Sequence, residues 1–174
     1  MSNIQMPETP QQYTQRILSH AQGQDPIKLQ SAFNKQLTRL TKGIPHSKLR
    51  KRPGSDKWSV AEILAHLADV EIVIGWRMRS ILGDPGTHVQ AYDQNAWVTS
   101  GHYDKRDPRK SIELHRVVRD ANLALVKSLT PEQRKQYGKH AERGQESIDH
   151  IVRMVAGHDI NHLRQIERIL KPTK

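Results

Sequence analysis

Over most of this chain, apolar residues recur three or four positions apart, which gathers them on one face of an α-helix. Four long segments carry the pattern. From about Pro26 to Thr41 the stripe is Ile27, Phe33, Leu37 and Leu40, and Gly43 and Pro45 then stop it. From Ser59 to about Leu82 it is Ile63, Leu67, Val70, Ile74, Met78 and Ile81. A third segment opens on Asp107-Pro108, an N-cap followed by a proline whose fixed φ suits the first helical turn, and runs to about Leu129. The fourth, from about Gln145 to Leu170, reads Ile148, Ile151, Val152, Val155, His158, His162, Ile166 and Ile169. No strand-like alternation of comparable strength appears. The expected fold is therefore all-α, a four-helix bundle preceded by a short N-terminal helix over residues 9 to 21.

Between the helices the punctuation is local. Ser59 with Glu62 three residues later is a capping box, in which each side chain answers the other's free backbone N–H. Gly83-Asp84-Pro85-Gly86 ends that helix. Residues 83 to 107 then form a connection long enough for a crossover between the second and third long helices, and connections of this length are often functional. Within it, Ala91 to Trp97 is expected to make a short helical turn. Thr130-Pro131-Glu132-Gln133 opens a short helix, and Gly138 and Gly144 bracket a loop. A basic loop is expected between Pro45 and Trp58. One domain over residues 1–174 accounts for all of this.

Composition narrows the chemistry. There is no cysteine, so disulfides and cysteine-based zinc sites are excluded, and any transition-metal site must use histidine and carboxylates. No apolar run approaches the length of a membrane-spanning helix. The first residues, Met1-Ser2-Asn3-Ile4-Gln5-Met6-Pro7, lack the basic and apolar regions of a secretory signal, so a cytoplasmic protein is expected. The formal charge of +10 could attract nucleic acid or acidic ligands. Its densest cluster, Lys48-Leu49-Arg50-Lys51-Arg52, is short and has no interleaved aromatics, so nucleic acid is not the expected partner.

The informative residues are histidines. His158 and His162 continue the apolar stripe of the last helix, between Val155 and Ile166. Side chains four apart lie one above the other, roughly 5–6 Å between Cβ atoms. Two imidazoles on a core-facing stripe need a common explanation, because a buried ring without a hydrogen bond costs about 1–3 kcal/mol. One explanation is a shared metal ion; the other is that each ring bonds a backbone carbonyl or lines a wet groove. His66 falls near the inward stripe of its own helix, between Ile63 and Val70. Three histidines on one ion would leave open positions, a catalytic rather than a structural arrangement. Glu62, Asp69 and Asp159 are candidates to orient the ligand rings, and His115 is a candidate fourth ligand. The spacing invites comparison with the H-E-x-x-H zinc-protease helix, but Asp159 is one methylene shorter than the glutamate and no third histidine follows closely.

Two motifs, Trp58-Ser59-Val60-Ala61-Glu62-Ile63-Leu64-Ala65-His66-Leu67-Ala68-Asp69 and Gly157-His158-Asp159-Ile160-Asn161-His162-Leu163-Arg164-Gln165-Ile166, resemble the DinB-like superfamily, the DinB/YfiT group. Arg52-Pro53 and Tyr92-Asp93-Gln94-Asn95 add to the likeness. The resemblance implies a four-helix bundle with a long crossover. It also implies one divalent metal ion, zinc or nickel, on His66, His158 and His162, and a homodimer. It further implies a small-molecule substrate, attacked by water in a hydrolase or by a low-molecular-weight thiol in an S-transferase. Two alternatives stay open: a non-catalytic metal-binding or interaction bundle, and a basic nucleic-acid-binding module centred on Lys48 to Arg52.

Overall fold

The computed structural model describes residues 8–171; the Met1–Pro7 stretch read for a signal sequence lies outside them. Each longer helix begins where a short polar side chain receives the free N–H groups of its first turn. Thr9 caps α1 (Pro10–His20), Asp25 caps α2 (Pro26–Thr41), and Ser59 caps α4 (Val60–Gly83). Asp107 caps α6 (Pro108–Ser128) and Ser147 caps α8 (Ile148–Leu170). The Ser59–Glu62 capping box is formed as the sequence predicts.

Three segments differ from the expectation. The basic loop contains a short helix, α3 (His46–Arg50). Its charges are partly used inside the molecule: Arg50 donates to the Arg106 carbonyl, and Arg52 pairs with the buried Glu62 carboxylate. The long connection holds α5 (Gln94–Ser100), overlapping the helical turn expected over Ala91 to Trp97, and adds β1 (His88–Val89) and a 3-10 turn at Tyr103–Lys105. After α7 (Pro131–Lys135), the expected loop is a hairpin of β2 (Tyr137–His140) and β3 (Gly144–Ser147). These strands pair antiparallel, β1 joins β2 in parallel, and the order is β1-β2-β3. Strands this short give no alternation to read. Their register rests instead on Gly138, where a Cβ would lie 3.0 Å from the Ile81 side chain, and on Gly144, which takes φ +77° in the turn.

Helices α2, α4, α6 and α8 form the four-helix bundle. Cross-helix partners fix their directions. Asp69 meets Arg106, and Arg79 meets Asn122, so α4 and α6 run the same way side by side. Asn34 meets His115 and Gln30 meets Arg119, so α2 runs against α6. Parallel neighbours need a return path. The 24 residues of α4 span about 36 Å, and the segment carrying β1 and α5 covers that distance. The long crossover is a geometric requirement of this topology.

The core has two apolar ends and a polar middle. One end is built on Phe33, Leu37, Ile63, Leu67 and Ile166, the other on Met78, Ile81, Val126, Ile148 and Val152. Between them Arg119, only 1% exposed, donates to Glu71 at 2.8 Å and to both Asp159 oxygens at 2.7 and 3.1 Å. It also reaches the Gln30 carbonyl at 3.4 Å. One guanidinium on α6 thus touches α2, α4 and α8. Removing it strands two buried carboxylates. Arg119→Met is expected to lower unfolding free energy by about 3–5 kcal/mol, read from urea denaturation; a loss under about 1 kcal/mol would show that the network does not hold the helices together.

Candidate metal centre

His66 sits in the second turn of α4, and His158 and His162 lie on successive turns of α8. The antiparallel packing of α4 on α8 brings the three rings together. Their Nε2 atoms converge: His66 to His158 is 3.3 Å and His162 to His158 is 3.0 Å. All three ligand-capable atoms lie within 4.8 Å of one another. The approach of α1 supports this arrangement. At Gly157 a Cβ would stand 2.0 Å from the Ile17 carbonyl oxygen, so only glycine lets α1 pack here, one residue before His158.

The donor set fits a cation. Each Nε2 has one in-plane valence, a proton or a lone pair, and His158 Nε2 faces two partners. Hydrogen bonding cannot give both contacts good geometry, whereas an ion about 2.0–2.1 Å from each nitrogen uses three lone pairs at once. The His162 Nδ1 lies 2.8 Å from Gln165 Oε1. With a carbonyl oxygen as acceptor, Nδ1 carries the proton and Nε2 presents the lone pair. Burial holds His66 and His158 well below the usual imidazole range and lowers His162 to about 4. All three rings are neutral at pH 7, the protonation state a metal requires. Trp58 packs against His66 with ring centroids 5.0 Å apart.

The other sequence candidates are placed elsewhere. Glu62 is held by Ser59 and Arg52. Asp69 accepts from the Tyr103 hydroxyl at 2.6 Å and from Arg106 at 2.7 Å. Asp159 turns to Arg119, and His115 bonds Asn34 at 2.8 Å. None of these four is hydrogen-bonded to the three-histidine cluster among the described residues. Gln165, which orients His162, was missed by the sequence reading, although its position three residues along the same helix face was a usable signal.

Two cavities adjoin the cluster. One, of about 400 Å³, is lined by His66 and His158; the other, of about 680 Å³, by His162 and Gln165. Tyr13 from α1 and Gln94 and Asn95 from α5 border both. The short leading helix and the long connection therefore shape the access to the histidines.

A family model described as the DinB superfamily matches residues 31–166, a span that holds all three histidines. Two curated relatives are each named a putative metal-dependent hydrolase. The protein of Oceanobacillus iheyensis is 25% identical over 142 residues, 81% of each chain. That of Halalkalibacterium halodurans is 24% identical over 148 residues, 85% of this chain and 86% of its own. Among solved structures, YfiT from Bacillus subtilis superposes with a TM-score of 0.75 at 19% identity, covering 96% of this chain and 92% of that one. It is described as a probable metal-dependent hydrolase with an unusual four-helix bundle topology, and the shared architecture is that bundle.

The buried rings predict a pH dependence. Burial lowers His66, His115 and His158 well below their usual value, and His140 and His162 to about 4. In the unfolded chain they titrate near about 6.5. Below that pH the unfolded chain binds more protons than the folded one, so this stability is complete above about pH 6.5 and is lost toward pH 4. Asp159 opposes the trend, since burial outweighs Arg119 and raises it to about 6, but it is one group against five. In urea titrations of EDTA-treated protein, the midpoint should fall between pH 7 and pH 5. Equal midpoints would contradict neutral buried rings.

Proposed function

The chain belongs to the DinB superfamily, and on that premise we propose that His66, His158 and His162 hold one divalent metal ion in an enzyme acting on a small molecule. The observation that carries the reading is the convergence of three neutral Nε2 atoms beside open cavities. A structural metal site wants four protein ligands and a closed shell; here three donors adjoin space. A zinc or nickel ion held there would acidify a water or a low-molecular-weight thiol enough for attack at neutral pH. The names of the relatives favour water, and hence a hydrolase.

The chain's own groups have definable parts. The three histidines present lone pairs from one side. Gln165 keeps His162 in the required tautomer. Trp58 packs its ring against His66. Tyr13, Gln94 and Asn95 confine a ligand between the two cavities. Among the described residues no helix is long and apolar enough to cross a membrane, and the proposed setting is the cytoplasm.

Elemental analysis tests the centre. Wild-type protein should carry about one equivalent of zinc or nickel, and His158→Ala well under a tenth of that, with hydrolytic or thiol-transfer turnover lost in parallel. EDTA should remove activity, and added metal should restore it in the wild type alone. A wild type that takes up no divalent metal would overturn the reading; metal uptake without turnover on any electrophile would support the non-catalytic bundle.

A second copy of the chain is the proposed partner. Ile72 and Trp76 on α4 and Leu114 and Val117 on α6 are all at least 40% exposed, Trp76 reaching 72%. These helices are parallel neighbours, and exposed apolar side chains on adjacent helices are of the kind that mark interfaces. Sedimentation equilibrium should find a dimer in the wild type and a monomer in Trp76→Glu; a monomeric wild type would remove the proposal.

A further inference from the structure

The cavity beside His66 and His158 has a second polar end that metal binding does not use. Along α4 its wall is His66, Val70, Ile74 and Arg77, one helix face over three turns. His66 and Arg77 are eleven positions apart, about 16 Å along the axis. Val70 and Ile74 between them are apolar.

Arg77 is only 5% exposed and has no carboxylate within ion-pair distance among the described residues. It donates to the Gln90 carbonyl at 2.5 Å and lies 5.7 Å from the centre of the Tyr92 ring. The acids around the same cavity are engaged or exposed. Glu8 is bound by Arg16, Asp93 caps α5, and Glu142 is at the solvent-exposed rim. Glu146 on the neighbouring strand is taken by Arg143 at 2.6 and 3.0 Å. A buried guanidinium without a counter-charge costs several kcal/mol, which selection would remove unless something completes it.

His140, at the end of β2, lines the same cavity and is 3% exposed. Its Nδ1 accepts the Glu142 N–H at 3.2 Å, which places the ring proton on Nε2. That Nε2 has no partner among the described residues. A buried N–H donor without a partner therefore sits in the wall of the cavity that Arg77 also lines, and Arg77 has no ion-pair partner of its own among the described residues. One uncompensated positive charge and one neutral donor match a monoanion, and a planar carboxylate fits a guanidinium edge better than a dianion fits this balance.

We propose that Arg77 and the Nε2–H of His140 form a carboxylate-binding subsite, so that the small molecule processed at the histidine centre has a carboxylate, an apolar middle and a reacting group at its other end. This extends the metal-enzyme reading by naming its substrate class. Arg77 binds the carboxylate, His140 orients it, and Val70 and Ile74 face the apolar span.

Calorimetry on the full-length, EDTA-treated protein tests this with hexanoate and its neutral isostere hexanamide, so that no metal can capture the carboxylate. Hexanoate should bind at least about tenfold more tightly than hexanamide, because a charge-assisted bond is lost in the amide. Arg77→Met should weaken hexanoate by about tenfold or more, and His140→Phe by a smaller factor, with hexanamide affinity unchanged in both. Circular dichroism checks the fold; if Arg77→Met fails to fold, His140→Phe and the paired probes decide. Equal binding of the two probes, no hexanoate binding, or undiminished binding in folded Arg77→Met overturns the subsite. Hexanoate selectivity in a protein that takes up no metal would overturn the metal centre alone. Metal uptake with equal binding of both probes would overturn the subsite alone.

Discussion

Arg119 is the constraint on which the bundle depends. Its guanidinium is buried and touches Glu71 on α4, Asp159 on α8 and the Gln30 carbonyl on α2. Ions taken out of water are tolerated only when the geometry satisfies them closely. Apolar contacts alone would let helices slide, since one Leu–Ile contact is much like the next. The Arg119 layer removes that freedom. Asp159 is the neighbour of His158, and Glu71 lies five residues after His66. The two helices whose relative register Arg119 fixes are those that carry the histidines. A slip of one turn, about 5.4 Å, would break the carboxylate contacts and scatter the Nε2 atoms together.

The same layer explains how polar groups share an apolar core. His158 and His162 occupy stripe positions of α8, while Asp159 turns to a different neighbour. The result is two apolar clusters separated by a layer holding Arg119, Glu71, Asp159, Asn122 and His115. Each member finds a partner on another helix: Asn122 donates to the Glu71 side chain at 2.9 Å, and Gln30 to the Val152 carbonyl at 2.8 Å. The histidines lie toward the end of this layer where α1 crosses α8 at Gly157, which opens the centre toward the two cavities rather than sealing it.

Much of the bundle was legible because it is periodic and capped locally. The stripes of α2, α4 and α8, the Ser59–Glu62 box and the Asp107-Pro108 start each depend on residues within one or two turns. The β2–β3 hairpin and α3 were not legible. Their residues are polar and their spans too short for a period, and pairing with β1, some fifty residues earlier, is a tertiary fact. The meeting of His66 with His158 and His162 was suggested by stripe positions alone. The partners of the nearby acids were not, because a carboxylate near a histidine in sequence goes to whichever cation the packing supplies. Asp69 met Arg106, and Glu62 met Arg52, and neither pairing has a signature in the sequence.

Among the described residues few buried side-chain atoms lack a partner: Arg119 Nε, Gln136 Oε1 and His140 Nε2. Most of the core pairs its polar atoms, as folded proteins must. The cavity along α4, however, gathers two of the three converging imidazoles, His66 and His158, a buried guanidinium with no ion-pair partner, and, from the hairpin, an unpartnered N–H. Scattered, these would be separate defects, each a cost of a few kcal/mol with no return. Gathered on one wall, with Val70 and Ile74 between them, they have the order of a ligand: electron-pair donors, an apolar stretch, then a cation with an N–H beside it. The capped helices and two apolar clusters offset that local cost. The hairpin, invisible to periodicity, holds His140 at the end of the wall, and the long crossover sets Gln94 and Asn95 across its entrance. The segments least predictable from the hydrophobic pattern are the ones that turn a stable bundle into a receptor for a particular molecule.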